Sequence, residues 1–297
     1  MELKTDIILD SDVFNEIDDQ FAIAYMVKNQ DRLNIKGITI APFSPIHNKK
    51  VSNESESIDR SYDEAIHTLD LLGALELKNK VYKGSRRFLK DEEDTIESEA
   101  VDFIINESKN YNKDNRLTIV AIGAITNIAS AINKDESIVD RINLVWLGGS
   151  SYDYFINREF NMYQDIAAAR VSLLKAKNIT ILPCQGVVSH FLTTKYELDH
   201  FIKGKNKLCD FLYDNVVNWM DKNKSQLPTW SKVIWDVCAI AYLLNDNNRF
   251  MIVKQRKLRI PNYDKCTYSD ELDKEINYVY EIKRDPLFLD LFNKISI

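Results

Sequence analysis

Short apolar runs alternate with amphipathic stretches along the first two thirds of the chain. The apolar runs predict buried strands at residues 7–9, 35–40, 117–122, 142–147 and 179–182. Helical spacing occupies residues 18–26, 61–72, 127–132 and 166–174. Apolar strands that alternate with helices build parallel βαβ units with helices on both faces. We therefore predict an α/β fold, a single doubly wound domain with a mostly parallel central sheet, over residues 1–297.

The last third of the chain has a different pattern. Helical spacing covers residues 208–220 and 234–244, and two later runs, 249–260 and 276–282, predict strands of a hairpin or of a sheet extension. No internal repeat, low-complexity tract or linker divides the chain. Residues 246–297 are open to three interpretations, namely a sheet extension, an interface or a lid.

An acidic cluster follows the first predicted strand. Five acids lie within ten positions there: Asp10, Asp12, Glu16, Asp18 and Asp19. Ligands of open parallel sheets bind outside the carboxyl ends of the strands. Carboxylates gathered in one crevice repel each other unless protons or a cation compensate them. A hard divalent ion suits oxygen ligands, and calcium tolerates irregular geometry better than magnesium does. The alternative is a solvated loop whose acids cap the next helix.

Three other segments carry polar groups that fit such a site. Residues 123–127 (GAITN) follow a predicted strand, and they either offer a carbonyl to a metal or form an ordinary turn with an N-cap. Glu159 and Asn161 either bind hydroxyl groups or belong to a surface loop. Asp236 is either a ligand or a plain helix N-cap, and Trp235 beside it is either part of the site or part of the core.

Composition and charge narrow the class of partner. The 297 residues include 39 basic and 45 acidic ones, so the formal net charge is -6, and no basic patch dominates. We therefore expect neither a nucleic acid nor a membrane as partner. No apolar run approaches the roughly 20 residues that span a bilayer, and no signal peptide is expected. Four cysteines without a C-x-x-C pair indicate reduced thiols and a cytoplasmic location.

Taken in order, these segments resemble the inosine-uridine-preferring nucleoside hydrolase family over about residues 6–245. Residues 10–19 resemble its D-x-D-P-G-x-D-D motif, and residues 123–127 resemble its G-P-L-T-N segment. Residues 147–149 (LGG) and 159–161 (EFN) resemble its M-G-G and E-F-N segments, and residues 235–236 (WD) resemble its H-D. Each similarity alone is weak, but four in the right order and at compatible spacing are specific.

The resemblance implies a calcium-dependent hydrolase that splits the N-glycosidic bond of ribonucleosides into ribose and free base. The implied calcium ligands are Asp12, Asp19, the backbone carbonyl of Ile122, and Asp236. Asp12 would also be the general base for a water, and Asp10 would support the cluster through hydrogen bonds. The family also implies a homodimer or a homotetramer.

The resemblance further implies how a nucleoside would be held. Asp18 would bind the ribose 2′-hydroxyl, Asn161 would bind ribose hydroxyls, and Glu159 would bind the 5′-hydroxyl. The residue types agree with this chemistry, because carboxylates around the sugar favour the positive charge that develops as the C–N bond breaks.

The sequence departs from the family pattern in the acidic loop and after the second strand. The loop before Asp18 is two residues longer and lacks Pro-Gly, and it resembles the N-E-x-D-D-Q form of one branch of the family. Residues 41–43 (APF) replace the usual Gly-Asn, which removes one expected ribose ligand. We expect Asn15 to reach the ribose 3′-hydroxyl or the metal shell in its place.

Another departure concerns the group that protonates the leaving base. Trp235 stands where many members of the family have a histidine, and we expect it to stack on the base. His190 is another possible acid. His47 and Asn48 lie in a polar loop that either closes over the site or is a mobile surface loop.

Two other functions remain open at this point. A haloacid dehalogenase-like phosphatase would use Asp10 as nucleophile and Asp12 as acid/base with magnesium, but no later strand followed by an acid pair supports it. A non-enzymatic ribose- or nucleoside-binding protein would keep the metal and lack turnover, which the missing histidine would permit.

Overall fold

A computed structural model describes residues 4–46, 48–225 and 229–297. In these ranges the strands are β1 (Thr5–Ser11), β2 (Leu33–Ile40), β3 (Val81–Tyr82), β4 (Leu117–Ala121), β5 (Ile142–Leu147), β6 (Ile179–Leu182), β7 (Leu192–Thr194), β8 (Ser231–Val233), β9 (Met251–Lys257) and β10 (Glu275–Ile282). The helices there are α1 (Asp19–Val27), α2 (Glu54–Leu72), α3 (Glu99–Ser108), α4 (Thr126–Lys134), α5 (Phe160–Gln164), α6 (Ile166–Lys175), α7 (Lys195–Phe201), α8 (Lys207–Asn223), α9 (Val237–Tyr242) and α10 (Arg284–Ile295).

The central sheet has the strand order β3-β2-β1-β4-β5-β6-β10-β9, counted over the described residues. Its strands are parallel except β9, which pairs with β10 in the antiparallel direction. The order reverses between β1 and β4, because the chain first winds outward through β2 and β3 and then returns. Such a switch point opens a crevice at the carboxyl ends of the two strands. The acidic cluster and residues 123–127 both begin there.

Helices cover both faces of this sheet. Ile7 and Leu9 of β1 belong to the apolar core that α1, α2, α8, α9 and α10 cover, whereas Ile8 belongs to the core under α3, α4 and α6. Because β1 is buried on both faces, its sequence contains a continuous apolar run instead of alternating apolar and polar residues. The predicted doubly wound, mostly parallel α/β fold is confirmed.

The predicted start of α2 at residue 61 was wrong, since the helix begins at Glu54. The first half of α2 buries Ser57 and Ser61 beside Ile58, so apolar residues are too few there to show the helical spacing in the sequence. The two hydroxyls accept hydrogen bonds from the backbone N–H groups of Phe43 (3.1 Å) and Phe14 (3.2 Å). The first half of α2 therefore supports two loops that approach the switch point.

The C-terminal third is part of the same sheet. β10 is parallel to β6 and antiparallel to β9, so this segment is both a sheet extension and a hairpin. The predicted helix 234–244 and strand 249–260 are shorter in the structure, and α10 was not predicted. No helix of the described ranges has the length and apolar character to cross a bilayer. Cys184, Cys209, Cys238 and Cys266 are not paired in disulfides, and the first three are buried.

Candidate active site

A cavity of about 330 Å³ lies at the switch point. Its acidic lining residues are Asp12, Glu16, Asp18, Asp19, Glu159 and Asp236. Asn15, Ile122, Asn161 and Trp235 line it as well, and so do residues that the sequence had not indicated, such as Arg158 and Tyr163. The cavity has the size of a small-molecule site. The structure thus brings together the residues predicted to bind the metal, the ribose and the base, whereas Asp10 lies behind the wall.

Three carboxylates converge at the bottom of this cavity. One oxygen each of Asp18, Asp19 and Asp236 lies within 4.8 Å of the other two. The Ser11 hydroxyl donates to Asp19 over 2.5 Å, and the backbone N–H of Trp235 donates to Asp18 over 2.9 Å. Asp236 occupies the N-cap position of α9, but its side chain makes no capping hydrogen bond there, and its carboxylate belongs to the converging group instead.

Asp12 lies beside these three carboxylates. Its Oδ2 atom is buried and has no hydrogen-bond partner among the described residues. Gly123 faces its other oxygen, since a Cβ atom built on Gly123 would lie 2.7 Å from Oδ1 of Asp12. The predicted metal set named Asp12 with Asp19 and Asp236, whereas the tightest carboxylate group in the structure contains Asp18 in its place.

Burial and mutual repulsion raise the pKa values of these acids. Burial is the main cause that raises the pKa of Asp18 to about 7 and that of Asp19 to about 6. The pKa values of Asp12 and Asp236 lie well above their usual range, first because of burial and then because of neighbouring negative charge. Such a group requires protons or a cation near neutral pH.

Asp10 is fully buried behind the cavity. Its Oδ1 atom accepts hydrogen bonds from the Thr39 hydroxyl (2.6 Å) and from the Asn127 amide (2.8 Å). Burial raises its pKa to about 7 even though these two bonds oppose the shift. Asn127 also donates to the carbonyl of Ile40 over 2.9 Å. It is therefore not the helix N-cap but a link between β1, β2 and α4, and Ile125 occupies the cap position.

Asn161 is anchored to the carboxyl ends of two strands. Its amide Nδ2 donates to the carbonyl of Ile122 after β4 (2.9 Å) and to the carbonyl of Leu147 at the end of β5 (3.0 Å). Both amide hydrogens are thereby used, so the side-chain oxygen is the group left for a ligand. The Ile122 carbonyl keeps a second lone pair.

Glu159 is the buried N-cap of α5. Its carboxylate accepts hydrogen bonds from the backbone N–H groups of Gly149 (2.7 Å), Asn161 (2.9 Å) and Met162 (3.0 Å). Burial nevertheless raises its pKa. The surface-loop interpretation of Glu159 and Asn161 was wrong, because the two residues are only 6% and 9% exposed. This cap orders the loop that carries both side chains.

The loop between Asp12 and Asp18 is fixed from outside by Asn48. The Asn48 amide donates to the carbonyls of Phe14 (2.5 Å) and Asn15 (3.2 Å), so Asn48 is not part of a free surface loop. The Oδ1 atom of Asn15 is buried without a partner among the described residues. His47 lies outside the described residues. His190 is exposed and does not line the cavity.

Sequence reasoning also missed a buried cation next to the acids. Lys232 on β8 is only 5% exposed and pairs with Glu16. One signal was available, since the alternation along residues 232–236 puts Lys232, Ile234 and Asp236 on the same side of an extended chain. A lysine at an inward position of such a segment indicates a buried ion pair.

The side chains of this cavity fit a hard divalent cation. The converging donors are carboxylate oxygens, which is the donor class that calcium prefers. Two buried oxygens, Oδ2 of Asp12 and Oδ1 of Asn15, lack partners within the described ranges. The raised pKa values indicate that positive charge would stabilise the group.

Comparisons with known proteins extend the resemblance over most of the chain. Residues 7–277 match the family model described as inosine-uridine preferring nucleoside hydrolase, beyond the limit of residue 245 that the motifs had indicated. An uncharacterised protein of Schizosaccharomyces pombe is 34% identical over 102 residues, which are 33% of this chain and 32% of that protein. The inosine-uridine preferring nucleoside hydrolase of Leishmania major is 27% identical over 132 residues, or 43% and 41% of the two chains. The matched part thus spans about a third to two fifths of these relatives.

Solved structures share the fold along nearly the whole chain. A plant nucleoside hydrolase has a TM-score of 0.79 at 16% identity, with 99% of each chain covered. A purine-preferring ribonucleoside hydrolase from Gardnerella vaginalis has a TM-score of 0.75 at 22% identity, with 98% of each chain covered. At such identities the likeness concerns the fold.

Proposed function

Because the chain belongs to the inosine-uridine preferring nucleoside hydrolase family, we propose that it hydrolyses the N-glycosidic bond of ribonucleosides to ribose and free base with one bound calcium ion. The observation that carries this proposal is the convergence of Asp18, Asp19 and Asp236 beside Asp12 at the switch point of the sheet. Family membership removes the phosphatase interpretation. A nucleoside is a small ligand of the size that this cavity accepts.

Four oxygen donors would hold the calcium ion, namely carboxylates of Asp12, Asp19 and Asp236 and the carbonyl of Ile122. When bound, calcium supplies positive charge that makes a neighbouring water more acidic. We assign Asp18 to the ribose 2′-hydroxyl, from which its carboxylate would accept a hydrogen bond. Because this carboxylate also belongs to the converging group, it is close enough to the other acids to be a further calcium ligand.

The chain's own residues perform the sugar chemistry. Asp12 takes the proton of the attacking water, for which a buried carboxylate with a free oxygen is suited. Asn161 presents its side-chain oxygen to a ribose hydroxyl, and Glu159 accepts a hydrogen bond from the 5′-hydroxyl. The carboxylate-rich wall stabilises the oxocarbenium-like charge that develops on the sugar. Asp10 supports this wall through Asn127.

The leaving base meets an aromatic wall in this proposal. Trp235 lines the cavity at the position of the family's histidine, and Phe160 and Tyr163 line it as well. No histidine is among the described residues that line the cavity. Stacking on Trp235 would make a leaving purine easier to protonate from solvent. We also expect a homodimer or homotetramer in the cytoplasm.

A reducing-sugar assay tests the proposal. The panel contains inosine, uridine, adenosine, cytidine and nitrophenyl riboside, each with calcium and after chelation. The proposal requires calcium-dependent ribose release that the D12A variant abolishes. Nitrophenol needs no acid in order to leave. Turnover of nitrophenyl riboside alone would therefore mean that the enzyme can cleave the ribosyl bond but that its natural substrate is not in the panel. The absence of any turnover, together with calcium-dependent ribose binding in calorimetry, would favour the second candidate, a non-enzymatic nucleoside-binding protein.

A further inference from the structure

A buried lysine lies next to the acidic cavity without lining it. Lys232 on β8 has a side chain that is only 5% exposed, and its ammonium group forms an ion pair with Glu16. The ammonium group also lies 4.7 Å from the centre of the Trp219 ring, which covers it on the side of α8. Burying an ammonium group is costly unless opposite charge compensates it. We therefore expect the acids around Lys232 to compensate its buried charge.

The opposite charge around Lys232 extends beyond Glu16. Besides Glu16, the nearby acids that act on Lys232 are Asp18 and Asp236, and their charges raise its pKa although burial, the largest influence, lowers it. In return, Lys232 is the main influence that lowers the pKa of Asp18 against the effect of burial. The charge of Lys232 thus acts on two of the three carboxylates that converge in the cavity, while its direct partner is Glu16.

The ion pair also joins two segments that are distant in sequence. Glu16 belongs to the elongated loop between Asp12 and Asp18, whereas Lys232 lies three positions before Trp235. The segment after β8 is joined directly to the acidic loop by the bond from the Trp235 N–H to Asp18. The pair therefore holds the two acidic walls of the cavity against each other at the place where their charges repel.

We propose that Lys232 is a resident counter-cation, which compensates part of the acidic charge of the cavity when calcium is absent, and that Glu16 fixes its ammonium group there. This inference rests on the proposed calcium site. It predicts that the metal-free protein depends on Lys232 more than the calcium-loaded protein does. Removal of the lysine charge leaves more uncompensated negative charge, so calcium binding then relieves more repulsion.

The test compares unfolding temperatures in excess calcium and in chelator for wild type and for K232M. Methionine retains most of the length of the side chain and removes the charge. We expect the calcium-induced rise in unfolding temperature to be larger in K232M by roughly 3 °C. Calorimetry should show that K232M binds calcium on the order of fivefold more tightly, because one positive charge near the ion has been removed.

Lys274 offers a matched control far from the acids. It is partly buried, and its ammonium group donates to the carbonyls of Leu173 (2.7 Å), Leu174 (3.0 Å) and Ala176 (2.5 Å). The K274M variant removes a lysine whose described partners are carbonyls instead of carboxylates. We expect K274M to lower the unfolding temperature equally with and without calcium.

The outcomes separate this inference from the proposed function. An equal or smaller calcium effect in K232M than in wild type would overturn the counter-cation role and leave the calcium site intact. A wild type that calcium does not stabilise would overturn both. If K232M folds in calcium but not in chelator, the counter-cation role is supported, because the metal-free protein then cannot fold without the lysine charge. If it folds in neither buffer, K232R decides: the role requires K232R, which keeps the charge, to retain the wild-type calcium effect, and a changed effect contradicts it.

Discussion

Gly123 and Asp12 approach each other so closely that the glycine has no room for a side chain. A Cβ atom at position 123 would lie 2.7 Å from Oδ1 of Asp12, well inside van der Waals contact. We therefore expect G123A to displace the carboxylate and to lower kcat at least tenfold, since small misplacements of a reacting group have large effects on rate. Calcium affinity measured by calorimetry should fall together with ribose release.

A second glycine separates displacement of Asp12 from general overpacking. At Gly37 on β2 a Cβ atom would lie 2.6 Å from the ring of Phe103, away from the acids. G37A should lower the unfolding temperature, because overpacking costs typically about 1–3 kcal/mol, but leave kcat and calcium affinity unchanged. Equal losses of turnover in the two variants would contradict the specific role of Gly123.

The sequence predicts the central sheet well because its strands are continuous apolar runs. Ile142–Leu147 and Ile179–Leu182 have the predicted bounds in the structure. The pattern fails where polar residues face inward, as at Ser57 and Ser61 of α2, because hydrogen bonds to loop N–H groups replace apolar contacts there. Hydrophobic periodicity does not register that kind of packing.

The residues of the candidate site were predicted from short motifs that occur in the same order as in the family. Asp12, Asp19 and Asp236 could be named as calcium ligands because they match motif positions of the family that the sequence resembles. The hydrogen bonds of Asn161 to Ile122 and Leu147 could not be predicted, because they depend on how two loops meet in space. Lys232 was missed for the same reason, since its partner Glu16 lies 216 positions away.

The Asn161 side chain should be intolerant of aspartate. In N161D an oxygen would replace the nitrogen that now donates to the carbonyls of Ile122 and Leu147 over 2.9 and 3.0 Å. Two carbonyls would lose their donor and face a negative charge, at a cost of about 1–3 kcal/mol for each unsatisfied group. Thermal unfolding should rank N161D below N161A, which removes the donor without adding repulsion. The reverse order would contradict the observed amide orientation.

A substitution of Asn15 tests whether the loop between Asp12 and Asp18 contacts the ligand. Its Oδ1 atom is buried in the cavity wall and has no partner among the described residues, so a ligand would satisfy it. We expect N15A to raise KM for ribonucleosides by about tenfold, equivalent to roughly 1.4 kcal/mol of lost binding. An unchanged KM and an unchanged kcat would exclude a role of Asn15 toward either the ribose or the metal shell.

Asp94 gives a stability difference that depends on pH. Hydrogen bonds from Arg87 hold its pKa well below the usual range, and the N–H groups of Lys90 and Thr95 add to this. A lowered folded pKa means stability that is present above the unfolded pKa near 3.8 and is lost as the pH falls through the folded value. At pH 7, D94N should therefore lose about 1 kcal/mol, after allowance for solvent around the partly exposed Arg87.

A comparison of wild type and D94N at acid pH checks whether the carboxylate charge of Asp94 causes this difference in stability. The difference in unfolding free energy between wild type and D94N should narrow below about pH 4. As a control, D140N removes the exposed partner of Lys177 and should change little at either pH. A D94N difference that stays constant with pH would show that the carboxylate charge is not responsible.

Substitutions of Trp235 test how the leaving base is protonated. Its backbone N–H donates to Asp18, so a substitution of the side chain retains that bond. Trp235 also lines the cavity, and the motif resemblance aligns it with a histidine of many family members. We expect W235H to raise kcat/KM for inosine relative to nitrophenyl riboside by at least tenfold near pH 6, because a protonated imidazole can supply the proton that only the natural base needs. W235F retains an aromatic face without an acid, so its ratio should stay close to that of wild type. If W235H folds and binds calcium but leaves the ratio unchanged, position 235 does not contact the leaving base, and the acid has to be sought on another wall of the cavity.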